Sequence, residues 1–331
     1  MERKKIFITR KINLDGIDIL KNYYDVIFID KTESPTKTLM MQKVKNVYGI
    51  LCTLSERIDS DIMEAAGSNL KVISTLSTGY DHIDIYAATK RRIYVTNTGN
   101  VLSEATADLT FSLILALSRK IVEGHLYIMN GKWKKGWKPD LFLGTNVYGS
   151  TLGILGLGNI GRAVAKRAQG FNMKIIYNNR HQLSKTIEDK LKVTFMTFDE
   201  LIQNSDFLSI HTSLEKNNFH LIDSNQLKKM KKKSFLINTS RGSVINENSL
   251  IHALKHKWIA GAGLDVYEKE PLPRHNKLLK LKNVILLPHL GSATVQTRNR
   301  MAEVAALNLH NILSNKKPIY LVNTELADNH C

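Results

Sequence analysis

Residues 151–168 read TLGILGLGNIGRAVAKRA: a strand-like apolar run, a glycine-rich turn and an amphipathic helical stretch in immediate succession. Gly156, Gly158 and Gly161 have G-x-G-x-x-G spacing, and their place between strand and helix makes an otherwise weak pattern specific. Gly156 permits the tight turn, Gly158 lets the backbone approach a pyrophosphate, and Gly161 lets helix and strand pack closely. N–H groups near Asn159 and Ile160 then point at phosphates from a helix start, where donors lack partners and the helix dipole favours anions. A dinucleotide-binding βαβ unit is therefore predicted to begin near position 151.

Outward from this unit the same alternation recurs. Upstream lie the strand candidates KIFIT, DVIFID, VYGILCTL, KVISTLS and IYVTN, separated by helix-like segments such as DSDIMEAAG. Downstream come KIIY, VTFM, DFLSI, SFLIN, AGAGLDV and NVILL. A long helix is expected from about Ser103 to Asn130, then the loop GKWKKGWKPDLFLG, and near the end the helical stretch TVQTRNRMAEVAALNLHNIL. Strands alternating with helices imply parallel sheets covered on both faces. The prediction is α/β, with two doubly wound domains, the first of which covers the substrate.

The second strand of the nucleotide unit ends unusually. About twenty residues after the glycine loop an acidic residue ordinarily binds the ribose 2′-OH, but IIYNNRH, residues 175–181, places Asn179 there with Arg180 next. A carboxylate would repel a 2′-phosphate by roughly 1 to 4 kcal/mol for unit charges at contact distance. Its absence opens the site, Arg180 can add a charge-assisted hydrogen bond, and His181 is a weaker helper. The reading is NADP(H) over NAD(H).

Three further strand ends carry polar residues that an apolar core does not explain. Thr239-Ser240-Arg241-Gly242 follows SFLIN; Asp265, and then Glu270 before Pro271, follow AGAGL; Pro288, His289, Gly291 and Ser292 follow NVILL. In an open parallel sheet, ligands bind beyond the carboxyl ends of the strands, so these groups are expected at the same crevice as the glycine loop. Taken singly, Arg241 could be a solvated loop residue, Glu270 a surface turn and His289 a satisfied core histidine. Together an arginine that forks onto a carboxylate and a histidine beside an acid suit hydride transfer to a 2-oxo acid.

Composition narrows the alternatives. The chain has 331 residues, 43% of them hydrophobic and 23% charged, as expected of a globular protein with a sizeable core. The formal charge of +17 is dispersed, so attraction of small anions is preferred to nucleic-acid binding, and KKMKKK at 228–233 reads as a solvated helix end. The apolar segment FSLILALS is far short of ~20 uninterrupted apolar residues and reads as a buried helix. Two cysteines, Cys52 and Cys331, cannot build a disulfide framework; Cys52 in GILCTL is expected to be a buried reduced thiol, and a cytoplasmic location fits. The absence of a leader-like segment at MERKKIFITR and of a targeting signal in the tail NHC agrees. His252 and His256 read as helix surface rather than metal ligands, and Trp133 and Trp137 sit in one short loop, not a binding groove.

The order GLGNIG, INTSRG, GLDVYEKEP, LLPHLGSAT, with TLSTGYDHID and NTGNVLSEATADLT before it, resembles the D-2-hydroxyacid dehydrogenase family essentially end to end. Within it, LCTLSERID, LKVISTLSTGYDHID, WKPDLFLG and the strand end with Arg180 are most similar to glyoxylate/hydroxypyruvate reductases. The resemblance implies a Rossmann nucleotide-binding domain, 102–289, inserted into a discontinuous flavodoxin-like substrate domain, 1–101 and 290–331. It implies that Arg241 binds substrate, that Glu270 and His289 form the acid/base pair, and that backbone amides of Ser77, Thr78 and Gly79 receive the substrate carboxylate. Leu54 and Ser292 would contact substrate. Thr106 would line the nicotinamide site, Asp265 would contact the carboxamide, and Ser213, Thr239, His289 and Gly291 would complete the cofactor contacts.

The resemblance further implies a homodimer joined through the long helix and the loop 120–145. Near Leu141 that loop lacks the tryptophan that members of the subgroup can extend into the partner's active site. The chain ends without the extension of long phosphoglycerate dehydrogenases. The expectation is thus an NADPH-dependent reductase of glyoxylate to glycolate and hydroxypyruvate to D-glycerate. Its competitors are an NAD-linked dehydrogenase of another D-2-hydroxy acid, such as a short phosphoglycerate dehydrogenase, and a dinucleotide-sensing protein of the corepressor type.

Overall fold

Each strand candidate forms a strand. The computed structural model describes residues 3–329 except Asn13 and Lys31, so Cys331 lies outside the described residues. Two compact units divide the chain, Met1–Leu102 with Ser292–Cys331, and Ser103–Gly291.

In the first unit, β1 (Lys5–Ile8), β2 (Asp25–Phe28), β3 (Gly49–Cys52), β4 (Val72–Thr75) and β5 (Tyr94–Thr96) form a sheet of order β2-β1-β3-β4-β5. All pairings are parallel. Every residue of β3 and β4 is buried, which is why these strands read as continuous apolar runs instead of alternating ones. One face is covered by a cluster containing Ile50, Cys52, Ile62, Met63 and Ala88. The other meets the helix Val295–Leu313 through Ala302, Ala305 and Leu309. Gly49 lets that helix approach, since a Cβ there would stand 3.2 Å from Leu309. The thiol of Cys52 is buried and free, as expected, and burial pushes it far above the usual thiol range.

In the second unit, β6 (Thr151–Leu155), β7 (Lys174–Asn178), β8 (Val193–Phe195), β9 (Phe207–Ile210), β10 (Phe235–Asn238), β11 (Gly261–Leu264) and β12 (Val284–Leu286) form a parallel sheet. Its order is β12-β11-β10-β9-β6-β7-β8. The order reverses between β6 and β9, and a ligand crevice belongs at such a switch point, beyond the carboxyl ends of the strands. Clusters on the two faces fix the layer, one holding Leu152, Val164, Tyr177 and Phe207, the other Ile176, Leu208, Leu236 and Leu264. Phe207 and Phe235 stack at 5.4 Å. A buried side chain of this size contributes about 1.5–3 kcal/mol, and here it packs the first residues of β9 and β10 against each other.

The expected single helix over Ser103–Asn130 is corrected to two, Ser103–Ser118 and Ile121–Met129. Lys120 stands between them in the left-handed region, φ 52°. The cause is tertiary: the Ser118 carbonyl accepts the Thr145 N–H at 2.8 Å. Gly144 lies so close to that carbonyl that a Cβ would collide with it. A chain segment thus takes a carbonyl that a continuing helix would use, and the helix ends. In the lysine run the cations do sit in a last helical turn, at Lys228 and Lys229 of Ser224–Lys229. Lys229 and Lys231 pair with Asp199 and Asp206.

Candidate active site

The glycine loop follows β6, and each glycine has its own physical reason. Gly156 has φ +96°, and a Cβ there would stand 2.9 Å from the backbone of His211 and Thr212. At Gly161 a Cβ would run into the Gly156 carbonyl oxygen, so the helix Asn159–Gln169 could not close on β6. Gly158, the N-cap, is different: a Cβ there would meet nothing within 4 Å. Neither fold nor packing asks for glycine at 158, whereas a pyrophosphate approaching the backbone does. The loop therefore fits a dinucleotide.

At the tip of β7, Asn179 turns inward: its Oδ1 accepts the Leu157 N–H at 2.6 Å, tying the strand end to the glycine loop. Arg180 reaches outward, and its Nη2 donates to Oε1 of Glu215 at 2.5 Å. His181 is exposed beside it. Ser213 donates to the same Glu215 oxygen at 3.4 Å, so the loop after β9 meets the tip of β7. No motif in the sequence singles out Glu215; it lies thirty-five positions beyond Arg180, and only the β6/β7/β9 order brings the two together.

The ends of β10, β11 and β12 converge as expected. His289 Nδ1 lies 2.8 Å from Oε2 of Glu270, whose Oε1 accepts the Tyr267 N–H at 3.1 Å. Burial alone would raise the Glu270 carboxyl, but the hydrogen bond and charge of His289, the Tyr267 N–H and the charge of Arg241 outweigh it, leaving it below the usual carboxylate range. His289 occupies the left-handed region, φ 57°, a conformation that needs support in a residue other than glycine. Asp265 supplies it. Its carbonyl accepts the His289 N–H at 3.0 Å, and its carboxylate accepts the N–H groups of Leu290 at 2.6 Å and Gly291 at 2.8 Å. Burial raises the Asp265 carboxyl, partly opposed by those N–H groups and by His289.

Other expected residues fall in with this network. Thr106 is buried and donates to the Gly291 carbonyl at 3.1 Å. Thr239 is buried at the end of β10, 3.0 Å from the Thr110 hydroxyl. Arg241 is half-buried, and its Nη1 donates to the Ser240 carbonyl at 2.8 Å. The array is a fixed carboxylate–imidazole pair with a guanidinium close by, suited to giving or taking one proton beside a bound anion.

In the first unit, the residues after β4 form a braced turn. Ser77 Oγ donates to the Gly79 carbonyl at 2.6 Å and Thr78 Oγ1 to the Gly99 carbonyl at 2.6 Å, while Asn97 Nδ2 donates to the Thr78 carbonyl at 2.7 Å. Thr75 Oγ1 bridges Ser77 Oγ at 2.8 Å and His82 Nε2 at 2.9 Å. The backbone N–H groups of Ser77, Thr78 and Gly79 have no acceptor among the described residues. A rigid turn with free N–H groups is an anion receptor. His82, which braces it through Thr75, is a residue that sequence reasoning does not find. Leu54, after β3, is exposed, and the Ser292 carbonyl accepts the Thr294 N–H at 2.8 Å.

Among the described residues no group of histidine, cysteine or acidic side chains could hold a metal ion; His252 and His256 merely stack, at 4.0 Å. No helix among them is long and apolar enough to cross a membrane.

Comparison with known proteins agrees with this geometry. The family model described as D-isomer specific 2-hydroxyacid dehydrogenase, NAD binding domain, matches residues 111–291. The glyoxylate reductase of Thermococcus litoralis is 45% identical over 327 residues, 98% of each chain. A crystal structure of a Thermus thermophilus protein superposes with a TM-score of 0.90 at 39% identity, covering 96% of this chain and 99% of that one. An NADPH-dependent glyoxylate/hydroxypyruvate reductase from Sinorhizobium meliloti, solved with NADP and malonate, gives 0.85 at 30% identity over 97% of both chains.

Proposed function

The chain belongs to the D-isomer specific 2-hydroxyacid dehydrogenase family, and we propose that it is an NADPH-dependent reductase of glyoxylate and hydroxypyruvate. The observation that carries the chemistry is the Glu270–His289 pair at 2.8 Å, at the same sheet end as the glycine loop. The cofactor supplies the hydride when bound. His289 delivers a proton to the carbonyl oxygen as it gains charge, and Glu270 holds the imidazole in place. Arg241 holds the oxo acid and polarises its carbonyl. The turn Ser77–Gly79 offers N–H donors to a carboxylate, and Asp265 and Thr106 hold the 289–291 turn beside the nicotinamide.

The cofactor is held by the loop Gly156–Gly161 and the Asn159 and Ile160 N–H groups, with Arg180 toward the ribose. No carboxylate stands at position 179, which supports NADPH; the Sinorhizobium relative, named as NADPH-dependent, is consistent with it. We also propose a homodimer. The helix Ile121–Met129 has no buried residue and exposes Ile121, Leu126, Ile128 and Met129, the kind of apolar cluster that marks a contact surface. A cavity of about 450 Å³ beside it is lined by Val122, Leu126, Tyr127, Phe142 and Ile285. A cytoplasmic location is supported by the buried free thiol of Cys52.

Initial rates on glyoxylate, hydroxypyruvate and other 2-oxo acids with NADPH and NADH test the proposal. Turnover of the first two, faster with NADPH, is expected. No turnover of any 2-oxo acid would leave the corepressor-type reading, and a strict NADH requirement would leave the NAD-linked one.

A further inference from the structure

We propose that Glu215 is a specificity-determining residue that competes with the ribose 2′-phosphate for Arg180 and thereby limits how strongly the protein prefers NADPH. The inference rests on the cofactor reading above and adds a residue to it. Arg180 is the cation that the tip of β7 offers a 2′-phosphate, yet its Nη2 is already donated to Glu215 Oε1 at 2.5 Å.

Glu215 does not drift into this contact. Its carboxylate accepts the Asn218 backbone N–H while its own N–H donates to Asn218 Oδ1 at 2.7 Å, a reciprocal capping arrangement. The Ser213 hydroxyl lies 3.4 Å from the oxygen that Arg180 holds. The Asn218 side chain is in turn anchored to Thr212 Oγ1 at 3.1 Å and to the Ser213 carbonyl. A carboxylate held by this loop is a negative charge beside the guanidinium of Arg180.

Two consequences follow from charge alone. A 2′-phosphate must either displace Glu215 from Arg180 or share the guanidinium with it, and in both cases it stands near a like charge. A 2′-hydroxyl has no such conflict, so NADH leaves the pair intact. Arg180 is 75% and Glu215 39% exposed, so solvent screens the contest and the effect is a several-fold modulation, not an absolute gate. Arg180 and Glu215 thus act as opposed halves of one selector, and the wild-type protein uses both cofactors with a moderate bias to NADPH.

Isothermal titration of adenosine 2′,5′-bisphosphate and of AMP, which differ only in the 2′-phosphate, reads this contact without turnover. In Glu215→Gln the bisphosphate should bind about fivefold more tightly, more so at low salt, with AMP affinity unchanged. The gain should shrink when Arg180→Ala is added, because only the direct repulsion remains. Unchanged bisphosphate affinity in Glu215→Gln, or an equal gain for AMP, would overturn the role of Glu215; if Arg180→Ala alone still weakened the bisphosphate, the cofactor reading would stand. If Arg180→Ala left the bisphosphate unaffected, both would fall. Retained AMP binding shows in each case that the variant is folded.

Discussion

Two ends of one sheet are built in opposite ways. Beyond β11 and β12, Asp265 is buried, accepts two backbone N–H groups with its carboxylate and that of His289 with its carbonyl, and so fixes the turn that presents the imidazole to Glu270. Beyond β7, Arg180 and Glu215 meet through long side chains, the guanidinium exposed and the carboxylate partly so. The first region is rigid because removing the buried Asp265 carboxylate strands the buried Gly291 N–H and frees the turn it holds. The second is adjustable because its bond is screened and its partners can exchange water for each other. Proton chemistry needs the first kind of site, whereas discrimination between two cofactors that differ by one phosphate can be tuned at the second.

Substitutions at the rigid end should have the largest effects. His289→Gln is expected to lower kcat for 2-oxo acid reduction by about 10²- to 10⁴-fold while the dissociation constant of NADPH stays near the wild-type value; undiminished kcat would break the assignment of the proton donor. Asp265→Ala should destabilise the nucleotide unit by about 3 kcal/mol, read as a shift in the urea midpoint, because the buried Gly291 N–H and the partly buried Leu290 N–H lose their acceptor. A change of less than about 0.5 kcal/mol, in the range of ordinary surface substitutions, would show that the 289–291 turn holds itself.

The glycine loop sharpens the contrast within a few residues. Gly161→Ala should cost about 1–3 kcal/mol of stability through its clash with the Gly156 carbonyl. Gly158→Ala should leave the urea midpoint close to wild type, since its Cβ meets nothing, yet weaken NADPH binding measured by fluorescence. Equal losses of stability in both would mean that Gly158 serves packing, not phosphate.

The Glu270 carboxyl supplies a pH test. In the folded protein it titrates below the ordinary glutamate value of 4.5, so its ionised form contributes stability that is fully present above the unfolded value and is lost as pH falls through the folded one. Thermal midpoints of wild type and Glu270→Gln should therefore differ at neutral pH and converge in acid. Parallel curves would contradict a stabilising Glu270–His289 pair. The smallest effect belongs to Cys52: its peptide should be alkylated only after unfolding, as followed by mass spectrometry, and ready labelling in the native protein would contradict its buried, raised thiol.

What can be read from the chain follows the same division. The strands are legible because two-sided burial writes them as apolar runs, and Gly156 and Gly161 because backbone geometry admits no other residue there. His289, Glu270 and Arg241 stand out as polar residues closing apolar strands. The helix break at Lys120 is not legible, since it depends on Gly144 and Thr145 docking onto the Ser118 carbonyl. Helical periodicity carries no trace of that contact. Asn179 reads as a gap in the nucleotide motif, but its Oδ1 is a brace for the glycine loop. Glu215 is invisible because a glutamate in a loop carries no mark of its partner until the strand order is known.

The most direct measurement is kcat/KM for glyoxylate reduction by the wild-type protein with NADPH and with NADH in parallel. Turnover with both, several-fold more efficient with NADPH, is the result this site predicts. Absence of turnover with either cofactor, or efficient turnover with NADH alone, would contradict it.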